Sequence, residues 1–127
     1  MKLNIVLLAL FTLVIFGCKT ERKVEIRFCA DIRANNPCIG EDSVFYHGTN
    51  VWAQLLLYPG FKGTNITGNI YFFENEEKVL IEGKKYEIKQ GKTIIMDMMF
   101  FYSCGNYVVE FIDDKGNILA EKNLELY

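Results

Sequence analysis

The sequence predicts an all-β domain, two antiparallel sheets packed face to face, with a small closed barrel as the alternative. Apolar segments of strand length recur at roughly 8 to 12 residue spacing, about seven or eight of them after residue 23. Several alternate apolar and polar side chains with period two, while no segment beyond residue 23 keeps a 3.6-residue period for three turns. The chain has 127 residues, a length that allows one domain with one core.

The elements follow in order. Val24, Ile26, Phe28, Ala30 and Ile32 alternate with Glu25, Arg27 and Asp31, which predicts a first strand with one buried face. Residues 34–42 hold Asn35, Asn36, Pro37 and Gly40 and read as a loop, followed by a short extended piece at 44–46. Residues 51–58 are apolar except for Gln54; the run is too short for a typical helix, so it predicts a strand covered on both faces. Residues 59–69 form a glycine-rich connection through Gly60, Gly63 and Gly68, and 70–73 the next strand. Residues 78–81 and 85–89 read as a hairpin across Glu82-Gly83-Lys84. Residues 93–102 are the most apolar run after the leader, with Asp97 as a solitary charge. Such a run predicts a central strand. Tyr107, Val109 and Phe111 alternate with Val108, Glu110 and Ile112, then Asp113-Asp114-Lys115-Gly116 makes a tight turn with glycine where positive φ is needed. Ile118, Ala120, Leu124 and Leu126 return as the closing strand. The sequence contains no internal repeat and no low-complexity tract.

The leader assigns a location. Lys2 precedes an apolar run over residues 5–16 interrupted by Thr12, the arrangement of a secretory signal. As a helix, about 12 residues cover only roughly 18 Å, well short of the ~30 Å of a bilayer core. Ile15-Phe16-Gly17-Cys18 resembles the lipobox of bacterial lipoproteins, with Phe16 in place of the usual small or aliphatic residue. The resemblance implies a signal peptide over 1–17, diacylglyceryl modification of Cys18, a lipidated tether over 18–23 and a β-domain over 24–127. Two or three acyl chains give stable anchoring, since each buried methylene contributes about 0.8 kcal/mol. Lys19 stands where some bacteria place an aspartate retention signal, so the resemblance implies the outer membrane of a cell envelope.

Near the end, Gly105-Asn106-Tyr107-Val108-Val109 resembles the tyrosine-corner strand of immunoglobulin-like domains. This implies an immunoglobulin-like sandwich in which the Tyr107 hydroxyl bonds back to the main chain. Val109 occupies the place of the second antibody cysteine, and Trp52 sits on an early strand. An inter-sheet disulfide of the antibody type is therefore not expected.

Charge and composition limit the partners. The chain carries 14 Lys and Arg against 16 Asp and Glu, dispersed among one another, and nucleic acid would require clustered cations. Of 4 cysteines, acylation of Cys18 leaves an odd number, so full pairing within one chain is impossible. An oxidising envelope favours one disulfide, Cys29 with Cys38 across the intervening loop, the other pairings being either of them with Cys104.

The set of reactive groups is sparse. His47 is the only histidine, which removes His-rich zinc sites, and neither Ser43 nor Ser103 lies in a nucleophile-elbow context. Cys38 or Cys104 with His47 is the remaining nucleophile pair. The carboxylate pairs Glu76-Glu77 and Asp113-Asp114 fall at turns, where such pairs are usually solvated, and Asn65-Ile66-Thr67 is a chance glycosylation sequon. Aromatic side chains offer more: Trp52, Tyr58, Tyr71 and Tyr102 as ligand contacts, with Phe73 and Phe101 beside them, supply large contact area with a polar handle. Core packing accounts for the rest.

These observations predict a non-enzymatic, lipid-anchored envelope domain that needs no cofactor or metal. It would bind a protein or glycan through one sheet face or the loops at one end. Two alternatives stand beside it: a small hydrolase or redox protein centred on His47 or Cys104, and an inhibitor or assembly accessory of an envelope complex.

Overall fold

The computed structural model describes residues 24–33, 37–89 and 91–127, so the leader, Cys18 and the tether lie outside the described residues. Strands β1 (Glu25–Cys29), β5 (Asn50–Leu56) and β8 (Ile94–Phe100) form one sheet in the order β1-β5-β8. A second sheet has the order β4-β10-β9-β6-β7, built from β4 (Val44–Phe45), β6 (Asn65–Glu74), β7 (Glu77–Glu87), β9 (Gly105–Asp113) and β10 (Ile118–Leu126). β2 (Asp31–Ile32) and β3 (Cys38–Ile39) pair as a small ribbon. All pairings are antiparallel except β4 with β10. Among the described residues the two main sheets stay separate, so the fold is a β-sandwich and not a closed barrel.

Alternation within the strands builds the core. Ile26 and Phe28 from β1, Val51, Ala53 and Leu55 from β5 and Ile95 from β8 pack against Ile66, Tyr107, Val109, Phe111, Leu124 and Leu126 of the other sheet. The hydroxyl of Tyr107 donates to the Ser103 carbonyl at 2.8 Å, while its ring packs between Phe72 and Phe101. The tyrosine corner thus fixes the start of β9 from inside the core.

Cys29 and Cys38 are joined by a disulfide. Cys29 lies on the same outward face as Glu25 and Arg27, as alternation predicts, opposite Trp52, but it is fully buried where the bond to Cys38 covers it. At the other end of the sandwich, Asp113 accepts backbone N–H bonds from Lys115 and Asn117, and Gly116 takes φ 84°, as the turn chemistry requires.

Three elements differ from expectation. β6 begins at Asn65, inside the segment read as a connection, because Gly68 is covered by the rings of Phe111 and Tyr86 and needs no side chain of its own. β7 is one continuous strand, and the hairpin expected at Glu82-Gly83-Lys84 does not form. Gly83 instead lies opposite Asn69, with a bulge at Ile81, and the chain reverses at Asn75 and Glu76, both at positive φ, the requirement of a two-residue primed turn. Finally, β8 is an edge strand, since among the described residues it pairs with β5 alone. Its outward Met96, Met98 and Phe100 are exposed; apolar residues on both faces gave it the pattern of a central strand.

Candidate functional site

The outer face of the five-stranded sheet holds an open concavity. β4 lies parallel to the end of β10, with Val44 opposite Glu125, while β6 carries Phe73 on the far side of β9. Between these walls runs an open trough of about 700 Å³ floored by Asn106 and Asn123, with Glu76 and Glu125 on its rim. Val44 and Phe73 are each 37% exposed, enough to present apolar edges to a ligand. The floor offers amide donors and acceptors, the rim carboxylate acceptors.

Further along the same face, register brings Tyr71 beside Val108 and Glu110 beside Glu121. Glu110 is buried at 7% exposure although it points away from the core. It accepts a hydrogen bond from the Tyr71 hydroxyl at 3.3 Å, and Lys78 Nζ approaches Glu110 at 4.0 Å and Glu121 at 3.6 Å. The same ammonium sits 4.6 Å from the centre of the Tyr71 ring. Burial, then the neighbouring Glu110 charge, raises the Tyr71 phenol above its ordinary value, so it stays a neutral donor. A single lysine serves these two carboxylates. With Glu76 and Glu125 at the trough, the face carries a surplus of acceptors and negative charge.

A second, smaller cavity of about 270 Å³ opens between the free edges β7 and β8, lined by Ala53, Ile70, Tyr86, Asp97 and Phe111 among others. Asp97 points inward from β8 and accepts hydrogen bonds from Tyr86 at 2.6 Å and Lys84 at 2.8 Å across the gap, and from its neighbour Met98 N–H. Burial pushes this carboxyl up, but the hydrogen bonds from Lys84 and Tyr86 and the lysine charge outweigh it, leaving Asp97 below the ordinary carboxylate range. The arrangement is a clasp between sheets. An inward charge on an edge strand also opposes pairing with another chain.

The four aromatic contacts expected from sequence fall in three separate places. Trp52 lies half-buried on the outer face of the three-stranded sheet between Cys29 and Met98, and Tyr102, 85% exposed, stacks edge-on to Phe100 on that side. Tyr58 sits in the turn after β5, edge-on to Phe61. Only Tyr71 and Phe73 belong to the face with the trough, and Phe101 is core. The trough residues Val44, Asn106, Asn123 and Glu125 carry no local sequence signal, because a parallel pairing between distant segments assembles them.

His47 is exposed, and both its backbone N–H and its ring Nδ1 lie within 3 Å of the Tyr127 carbonyl oxygen, at 2.9 and 2.8 Å. Among the described residues no hydrogen bond joins it to Cys104, Ser43 or Ser103. Cys104 is an exposed free thiol. No three His, Cys, Asp or Glu side chains gather as a metal site among the described residues.

No protein-family model matches the chain, and no curated protein is similar to it at a significant level.

Proposed function

We propose that the protein is a lipid-anchored envelope lipoprotein whose β-sandwich is a non-enzymatic binding domain, taking a segment of a protein or a glycan in the trough between Val44 and Phe73. The trough itself carries the reading: an open concavity of about 700 Å³ with apolar walls and an amide floor has the make-up of a binding surface. An open trough reaching across β4, β10, β9 and the end of β6 suits an extended chain more than a compact small molecule. The acceptor surplus of Glu76, Glu110, Glu121 and Glu125 favours a polypeptide segment bearing lysine or arginine over a neutral glycan.

Two measurements test the two halves. Labelled fatty acid fed to producing cells is expected in the wild-type protein and absent from Cys18→Ser. Incorporation into both would remove the anchor. For the ligand, the full chain is used to capture partners from its own envelope, beside Phe73→Ala/Glu125→Gln and, as a control on another face, Tyr102→Ala. Loss of one defined partner in the trough variant but not in the control supports the assignment. Capture indifferent to the trough substitutions refutes it.

A further inference from the structure

Strand directions place the entry of the chain and three connections at one end of the sandwich. β1 starts there, opposite the end of β5. The segments joining β5 to β6, β7 to β8 and β9 to β10 turn there as well. These connections carry Lys62, Lys89, Lys92 and Lys115, against Asp114. Asp113, at the end of β9, spends its carboxylate on Lys115 N–H and on the backbone and side chain of Asn117. The opposite end is acidic: its connections hold Asp31, Glu41, Asp42 and Glu76 against Arg33.

Two further observations turn this charge separation into a surface with a partner. A recess of about 530 Å³ lies between the first two connections, lined by Tyr58, Phe61, Lys62, Ile88, Lys89 and Lys92 among others, with no carboxylate in its wall. Among the described residues its three lysines make no ion pair, so their charge is available to an outside anion. The second is the tether. β1 starts at this end; the six residues of sequence from Cys18 to Lys23 hold Lys19, Arg22 and Lys23 against Glu21, and a chain of that length spans at most roughly 20 Å.

We infer that this basic end docks on the anionic phospholipid headgroups of the membrane that holds the tether, with Lys62, Lys89, Lys92 and Lys115 as the contacts. The inference rests on the lipoprotein reading for its choice of partner. Cations within a Debye length of an anionic bilayer add attraction residue by residue, and Tyr58 places an amphipathic ring in the same recess. The consequence is orientation. β6 has 10 residues at about 3.3 Å each, so the trough, near the other end of the sheet, is held about 30 Å from the lipid surface and opens sideways from the sheet face.

The test uses full-chain Cys18→Ser, which cannot be acylated, and compares co-sedimentation with phosphatidylcholine vesicles against vesicles containing about a third phosphatidylglycerol. The leader contributes to both, so the ratio is the readout. Tighter binding to the anionic vesicles is expected, weakening by about fivefold for each lysine changed to glutamine among the four, and vanishing at ~1 M salt. Glu41→Gln/Asp42→Asn at the opposite end should leave the ratio unchanged. Equal binding to both compositions overturns the proposal, as does an anionic preference that survives all four lysine substitutions, which would assign it to the tether alone. Acyl labelling of the wild-type protein reports separately on Cys18, so failure of the anchor and failure of this surface are told apart.

Discussion

Removing the Asp97 clasp should loosen the side of the sandwich where the two sheets have unpaired edges. The Tyr86 hydroxyl donates to a carboxylate oxygen at 2.6 Å, a short charge-assisted bond of the kind worth about 1.5 to 3 kcal/mol. The Asp97 side chain is 29% exposed, which moves the expectation to the lower part of that range. Asp97→Ala should therefore cost about 2 kcal/mol and Tyr86→Phe about 1.5 kcal/mol. Lys84 is much more exposed, so Lys84→Gln should cost clearly less than either. With a urea dependence of about 1.3 kcal/mol/M for a domain of this size, Asp97→Ala lowers the midpoint by roughly 1.5 M. The double variant Asp97→Ala/Tyr86→Phe should fall short of additivity by about 1 kcal/mol, since both substitutions break the same bond. The pH dependence has a definite sign. Asp97 is held below its ordinary value in the folded state, so its stabilisation is complete above the unfolded aspartate range near ~4 and is lost as pH falls through the folded value. The gap between wild type and Asp97→Asn should accordingly stay flat from about pH 8 to 5 and close below ~4. A cost under about 0.5 kcal/mol for Asp97→Ala, or strict additivity with Tyr86→Phe, would refute the clasp.

Two further stability predictions concern the end of the sandwich opposite the basic one. The Cys29–Cys38 bridge closes a sequence separation of 9, which by chain entropy contributes about 2.6 kcal/mol. Reduction in a Cys104→Ser background should lower the melting temperature by roughly 10 °C, and a change of less than ~3 °C by calorimetry would show that the bridge does not constrain the unfolded chain. Tyr107→Phe keeps the ring between Phe72 and Phe101 but removes the bond to the Ser103 carbonyl, so it should cost about 1 kcal/mol in denaturant unfolding. Hydrogen exchange should show the loss concentrated at the start of β9, and uniform loosening of both sheets would contradict a local corner.

Turns and half-buried strands were legible because their causes are local. The Asp113 to Gly116 turn forms from its own side-chain acceptor and a glycine at positive φ. The alternation of β1 follows from which neighbours each face meets, whereas β5, read as covered on both faces, buries Val51, Ala53 and Leu55 against the core and leaves Trp52 and Leu56 half-buried on the outer face. The clasp was only half visible: Asp97 stood out as a solitary charge in an apolar strand, with nothing local to point to Tyr86 and Lys84. Register defeated the local reading elsewhere. Glu82-Gly83-Lys84 has turn composition, yet pairing β7 along all of β6 satisfies more backbone groups than a short hairpin would. The reversal moved to Asn75 and Glu76.

What the sequence determined by itself is the set of strands that must bury one face, the turn residues that reverse them and, through the Tyr107 corner, the sandwich class. What only the tertiary structure decided is which strands end up at the edges and which side chains become neighbours. β8 is apolar on both faces whether central or at an edge, and Val44 meets Glu125 only because β4 returns to lie along β10. Side-chain periodicity is a property of a few consecutive residues. Sheet order and register depend on the pairing of distant segments, so the trough, the clasp and the basic end exist only once the chain has closed on itself.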